Sequence, residues 1–169
     1  MPGAITEGEI DMDKGTSGEA RVHIDAKPSE LYDLVSDVTR MGEWSPECVR
    51  CEWLDGATGP AVGARFRGSN RRGVARWSTK PTVVAAEPGE EFSFVVSHLG
   101  RDMTKWTYRF AEADGGTDAT ESFEMLASMP FYIRLSDRFV MGVKDRKADL
   151  EQAMRDTLNR IKAVAERST

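Results

Sequence analysis

The chain has 169 residues, 40% of them hydrophobic and 30% charged, with a formal net charge of −5. This is the composition of one globular domain with room for a substantial core, and not of a disordered chain. The negative balance disfavours non-specific binding to nucleic acid or to anionic membranes, whose fields repel it. No run approaches the roughly 18 apolar residues of a membrane-spanning helix, so stable membrane insertion is not expected.

Residues 1–18 are polar, contain glycine and offer no pattern to bury, so they are expected to form a flexible tail before a domain at 19–167. The opening MPGAITEGEIDMDKGTSGEA lacks the basic and apolar regions of a signal peptide, which makes the cytoplasm the expected location. Ala20, Val22 and Ile24 then alternate with Arg21, His23 and Asp25, giving a strand with one buried face. Pro28 opens a helix whose apolar stripe is Leu31, Leu34, Val35 and Val38, with Glu30 in the first turn where the helix dipole favours it. Residues 37–46 read as a short helical turn carrying Trp44. Strands at 49–54 and 64–68 follow, joined by DGATGPAVG.

A meander comes next, and its turns set a register. Glu87-Pro88-Gly89-Glu90 suits a type II turn and pairs Val83 with Phe94 and Ala85 with Phe92. A loop centred on Arg101 pairs Phe94 with Tyr108 and Val96 with Trp106. A two-residue turn at Gly115-Gly116 pairs Tyr108 with Phe123 and Trp106 with Met125. The expected apolar rung is therefore Val83, Phe94, Tyr108 and Phe123, while Thr82, Ser93, Ser97, Thr107, Arg109, Ser122 and Glu124 share the opposite, wet face. A short helix with Phe131, Leu135 and Phe139 follows Pro130. A long helix over 143–167 turns Leu150, Met154, Leu158, Ile161 and Ala165 inward, and Glu151, Arg155, Lys162 and Glu166 outward. Helices gathered on one face of a continuous antiparallel sheet of about six to seven strands define an α+β fold.

Asp37-x6-Trp44-Ser45-Pro46, Gly63-Ala64-Arg65-Phe66-Arg67-Gly68, Arg76-Trp77, Ala86-Glu87-Pro88-Gly89, Gly115-Gly116-Thr117 and Thr120-Glu121-Ser122 occur in order along the chain. Together they resemble the polyketide cyclase/dehydrase and lipid-transport branch of the START-like superfamily, over about residues 20–166. The resemblance implies a helix-grip fold: a curved sheet wrapped around the C-terminal helix, with a cavity between them. It does not imply one activity, since similar proteins include carriers of lipids and plant hormones, aromatase/cyclases and many bacterial proteins of unknown role.

A ligand cavity is usually apolar and oriented by a few polar groups. The inward face and the helices supply candidate ligand-binding residues: Leu34, Trp44, Phe66, Trp77, Val83, Phe94 and Val96, then Trp106, Tyr108, Phe123, Met125, Met141 and Met154. Met129 joins the methionines near the last strand, where flexible thioethers suit an adaptable wall. Candidate catalytic groups are Glu121, Tyr108 and His98. Glu121 and His98 lie six residues apart along the expected register, roughly 20 Å at about 3.3 Å per residue, too far for a dyad. Both are expected near strand ends, in reach of solvent, with Tyr108 between them as the polar tip best placed for a ligand.

Cys48 and Cys51 have C-x-x-C spacing, but strand-like alternation from Val49 to Trp53 sends the thiols to different faces, which favours a structural role. The only other ring-nitrogen ligands are His23 and His98, so no metal site is expected, and no motif calls for a cofactor. Arg65, Arg67, Arg71, Arg72 and Arg76 concentrate charge around a hairpin tip at 68–73, read as a solvated strand. The leading function is binding or transport of a small hydrophobic lipid, polyketide or aromatic molecule. The alternative is a polyketide aromatase/cyclase-type enzyme, and a third reading, a regulatory protein-interaction module, rests on the arginine hairpin alone. A monomer and a homodimer are both compatible with the sequence.

Overall fold

A computed structural model describes residues 12–140 and 142–168. In chain order they form β1 (Ser17–Ile24), α1 (Pro28–Ser36), a 3-10 helix (Val38–Glu43), β2 (Cys48–Trp53), β3 (Phe66–Arg72) and β4 (Ala75–Thr79). The meander β5 (Thr82–Glu87), β6 (Glu91–His98), β7 (Arg101–Ala113) and β8 (Gly116–Met125) follows, then α2 (Phe131–Phe139) and α3 (Arg146–Arg167). One antiparallel sheet runs β1-β8-β7-β6-β5 and a second runs β2-β3-β4. The expected single sheet is thus eight strands in two sheets. Pro81, with no N–H to give a ladder, stands between β4 and β5. The sheets stay linked by an Arg65–Thr82 bridge and by the Val83 N–H donating to Ala64 O.

Local chemistry explains the helix starts. Pro28 stands at the start of α1, and the Glu30 carboxylate accepts from the Lys27 N–H at 3.1 Å. The α3 N-cap is Asp145, whose carboxylate accepts from the Ala148 N–H at 3.0 Å. Leu150, Met154, Leu158 and Ile161 are buried along one stripe of α3, which packs on β1 and β8.

The meander register differs from the expected one by steps of two. Leu99 (φ 50°) and Gly100 (φ 74°) form the β6–β7 turn, so His98 pairs with Arg101, and a bulge at Met103 then sets Phe94 opposite Trp106 rather than Tyr108. Asp114 (φ 45°) and Gly115 (φ 77°) form the next turn, so Trp106 pairs with Phe123 and Tyr108 with Glu121. A tight hairpin turn needs two successive left-handed residues, and Asp-Gly meets that need without strain. Val83 does pair with Phe94, because a bulge at Val84 cancels an extra turn residue; Ala85 consequently faces Ser93, not Phe92. A shift of two leaves the inward residues Phe94, Trp106, Tyr108, Glu121 and Phe123 on their expected face, whereas the bulge at Val84 turns Ala85 onto the other one. The aromatic rung is therefore Val83, Phe94, Trp106 and Phe123.

Two further expectations change. Residues 12–18, placed in the tail, belong to the fold: Met12 is buried, its carbonyl accepts from the Met129 N–H at 2.9 Å, and β1 starts at Ser17. Residues 1–11 lie outside the described residues. The arginine hairpin turns at Gly73, not across 68–73, since β3 continues to Arg72. The short helix expected after Pro130 is α2, on which Phe131, Leu135 and Phe139 are exposed and Asp137 is buried.

Candidate functional site

Between the concave sheet face and α3 lies a cavity of about 610 Å³. Aromatic and sulfur-bearing side chains are prominent in its wall because inward parity on β6, β7 and β8 brings several of them there and the α3 stripe faces them. Of the expected ligand-binding residues, Phe66, Trp77, Phe94 and Val96 line it, as do Trp106, Tyr108, Met125 and Met154. Trp44, Val83 and Phe123 are buried in the surrounding core instead, and Leu34 packs against that core without reaching the cavity. Met141 lies outside the described residues. Met12, Met41, Cys48, Cys51 and Leu150 also line the wall and were not anticipated. Arg76, His98 and Tyr132 stand exposed at its rim.

The two-residue register shift creates the site's most distinctive pair. Glu121 lies directly across the ladder from Tyr108, and the tyrosine hydroxyl donates to Oε1 at 2.7 Å. Both side chains are buried, with Glu121 only 5% exposed, so the expectation of a solvent-reaching carboxylate near a strand end is overturned. Glu121 Oε2 has no hydrogen-bond partner among the described residues. Burial pushes the Glu121 carboxyl up to about 8, against a downward pull from the Tyr108 bond. Burial first, and then the neighbouring Glu121 charge, holds the Tyr108 hydroxyl well above its ordinary value. At neutral pH the site therefore presents a protonated carboxyl group whose Oε1 is already occupied. His98 does lie at a strand end, exposed, with its ring nitrogen 2.7 Å from the Tyr132 hydroxyl. It takes no part in the Glu121 pair.

Cys48 and Cys51 also come together. Val49 is bulged out of the β2–β3 ladder, which shifts Cys48 onto the same face as Cys51. Their sulfurs are 3.2 Å apart and buried, and the Cys51 thiol lies 3.8 Å from Met41 Sδ. Each thiol perturbs the other: the Cys51 bond lowers Cys48, and the same bond, with burial, raises Cys51. No group of three or more His, Cys, Asp or Glu able to hold a metal occurs among the described residues.

A second polar region abuts the cavity at the start of α3. Arg72 forks onto Asp149 at 2.6 and 2.7 Å and reaches Glu47 at 3.2 Å. Arg146 donates to Glu47 at 3.0 Å and to Asp149 at 2.8 Å, with Asp137 at 3.7 Å. The cluster ties β3, the segment before β2, α2 and α3 together. Arg72 is thus a tertiary tie and not part of a solvated strand, whereas Arg65 and Arg67 form exposed pairs with Asp55 and Glu52. Arg65, Arg67 and Arg72 are thus engaged by this chain's own acids.

A family model described as "Polyketide cyclase / dehydrase and lipid transport" matches residues 16–166. Among solved structures, a polyketide-cyclase-like protein of Corynebacterium glutamicum is 34% identical, with a TM-score of 0.59 over 90% of this chain and 93% of that one. The major latex-like protein 151 of Panax ginseng is 14% identical, with a TM-score of 0.66 over 89% of this chain and 97% of that one. The di-domain aromatase/cyclase StfQ of the steffimycin biosynthetic pathway gives a TM-score of 0.69 at 12% identity, over 90% of this chain and 51% of that one. The last two likenesses are of fold. No curated protein matches the chain. No helix among the described residues is long and apolar enough to cross a membrane.

Proposed function

Because the chain belongs to the polyketide cyclase/dehydrase and lipid transport family, we propose that it binds a small, largely apolar molecule between its sheet and α3. The observation that carries this reading is the cavity itself: about 610 Å³, within the usual range for ligand sites, in an interior that is otherwise close-packed. Aromatic rings and thioethers offer broad apolar contact with few directional demands, which suits a carrier better than a tightly shape-selective site. The protein is proposed to act in the cytoplasm, exchanging its ligand through the rim at Arg76, His98 and Tyr132.

The test uses an uncharged apolar fluorophore, N-phenyl-1-naphthylamine. It should bind with micromolar affinity and quench Trp106 or Trp77 emission, and Trp106→Phe should remove part of the quenching without unfolding the domain. A panel of fatty acids, sterols and aromatic polyketides that all fail to raise the melting temperature would overturn the reading.

The Glu121–Tyr108 pair favours a second reading, an aromatase/cyclase-type enzyme, because it supplies a carboxylic acid in a dry site. Dehydration of a poly-β-keto chain needs an acid to protonate the departing hydroxyl. Under this reading Glu121→Gln abolishes turnover while ligand affinity hardly changes. Under the carrier reading there is no turnover to lose.

A further inference from the structure

Among the described residues that line the cavity, Glu121 is the one that keeps a buried side-chain oxygen without a partner. Tyr108 occupies Oε1, and Oε2 is buried without a partner. Leaving a buried polar atom unsatisfied is unfavourable, so its retention calls for an explanation. The other polar groups near the cavity do not supply one: Arg146 is held by Glu47, Asp137 and Asp149, and His98 is at the rim with Tyr132.

We infer that Glu121 Oε2 donates a hydrogen bond to an uncharged oxygen acceptor, a ketone or similar carbonyl, on the apolar molecule that the cavity binds. This rests on the binding reading above and adds the ligand's chemical class. Three observations converge on it. The phenol donates to Oε1, so the acid proton belongs on Oε2, where it can only be given away. Burial favours the neutral acid, and no cation among the described residues acts on Glu121 to hold it ionised. A cationic ligand is not what a neutral donor selects; an acceptor is. The position is also defined: successive same-face rungs place Trp106 and Phe123 one step, roughly 7 Å, from Tyr108 and Glu121. The carbonyl then sits at the Glu121 rung, and the apolar body extends over Trp106 and Phe94 toward the rim.

The test compares 2-acetylnaphthalene with 2-isopropenylnaphthalene, which replaces C=O by C=CH2 in nearly the same shape. The ratio of the two affinities, ketone over alkene, should be at least tenfold larger in the native protein than in Glu121→Leu. The carbonyl stretch of the bound ketone should move to lower frequency in the native protein and return in the variant. Raising the pH through about 8 should erase the preference as the acid ionises. Glu121→Gln, which keeps an N–H donor but does not titrate, should retain a preference that is flat with pH. The pH and infrared arms need only the native protein, so they decide the matter even if the leucine variant does not fold. If both probes bind with the same ratio in native protein and variants, and the stretch is unshifted, the acceptor inference fails while the binding reading stands. If neither probe binds, the binding reading falls and takes this inference with it. Tighter binding of 1-(2-naphthyl)ethylamine than of the ketone would also overturn it, since an ionised Glu121 would then be the partner.

Discussion

At the start of α3, Glu47, Arg72, Asp137, Arg146 and Asp149 each meet an opposite charge, whereas at the Tyr108 rung a single carboxyl keeps one oxygen without a partner. The two regions border one cavity and differ in what their polarity accomplishes. The cluster consumes its own charge: two guanidinium groups are shared among three carboxylates, the five groups coming from four segments, which fixes how α2 and α3 sit against β3. The Glu121 site consumes only half of its capacity and leaves the rest directed at whatever enters. Saturated polarity holds a fold together, and unsaturated polarity inside a cavity is available for recognition.

Asp149 and Glu121 answer pH in opposite directions, while burial raises Asp137 within the cluster as it raises Glu121. Hydrogen bonds from Arg72, followed by the nearby Arg146 charge, hold the Asp149 carboxyl below its ordinary value. Its contribution is present above the unfolded value, near 4, and is lost as pH falls through the lower folded value. Glu121 is raised, to about 8. Between the unfolded value near 4.5 and about 8, the folded protein keeps a proton that the unfolded chain has released, so stability falls as pH rises across that window.

The largest expected effect breaks the saturated region. Arg146→Ala leaves Glu47 and Asp137 facing each other with one cation fewer, and urea unfolding at pH 7 should show a loss of about 3–5 kcal/mol. An unchanged midpoint would mean that the cluster is solvent-screened and structurally idle. Next in size is Glu121→Gln, followed by unfolding at pH 5 and pH 8. The native protein should be less stable at pH 8, by an amount on the order of 1–3 kcal/mol, and the variant should show little of that slope. A native protein with no loss between these values would show that the carboxyl titrates in the ordinary range. Smaller again is Arg72→Lys, which keeps the charge but loses the two-pronged contact with Asp149; about 1 kcal/mol is expected, shrinking in high salt. Smallest is Cys51→Ala, which removes one weakly bonded thiol: about 1 kcal/mol of stability, with the ketone preference of the cavity intact. A lost preference would tie the thiol pair to the Glu121 site.

The amino-acid pattern alone determined which residues face inward. Alternation along β6, β7 and β8 put Phe94, Trp106, Tyr108, Glu121 and Phe123 on one face, and an error of two residues in register could not disturb that, because strand parity has period two. The α3 stripe was equally legible, since 3.6-residue periodicity needs no knowledge of the partner. Which residues meet was decided by tertiary structure. The sequence centres the β7–β8 turn on Gly115-Gly116, yet Asp114 and Gly115 adopt the left-handed conformation, and that choice brings Glu121 to Tyr108. The bulge at Val49 has no signature in composition, so the thiols were assigned to opposite faces of β2 and the structure joins them. Asp149 and Arg72 are 77 residues apart, and no local rule connects them. Local periodicity reports a side chain's direction, whereas contacts between side chains depend on turn dihedrals, bulges and the approach of distant segments, which the whole fold selects together.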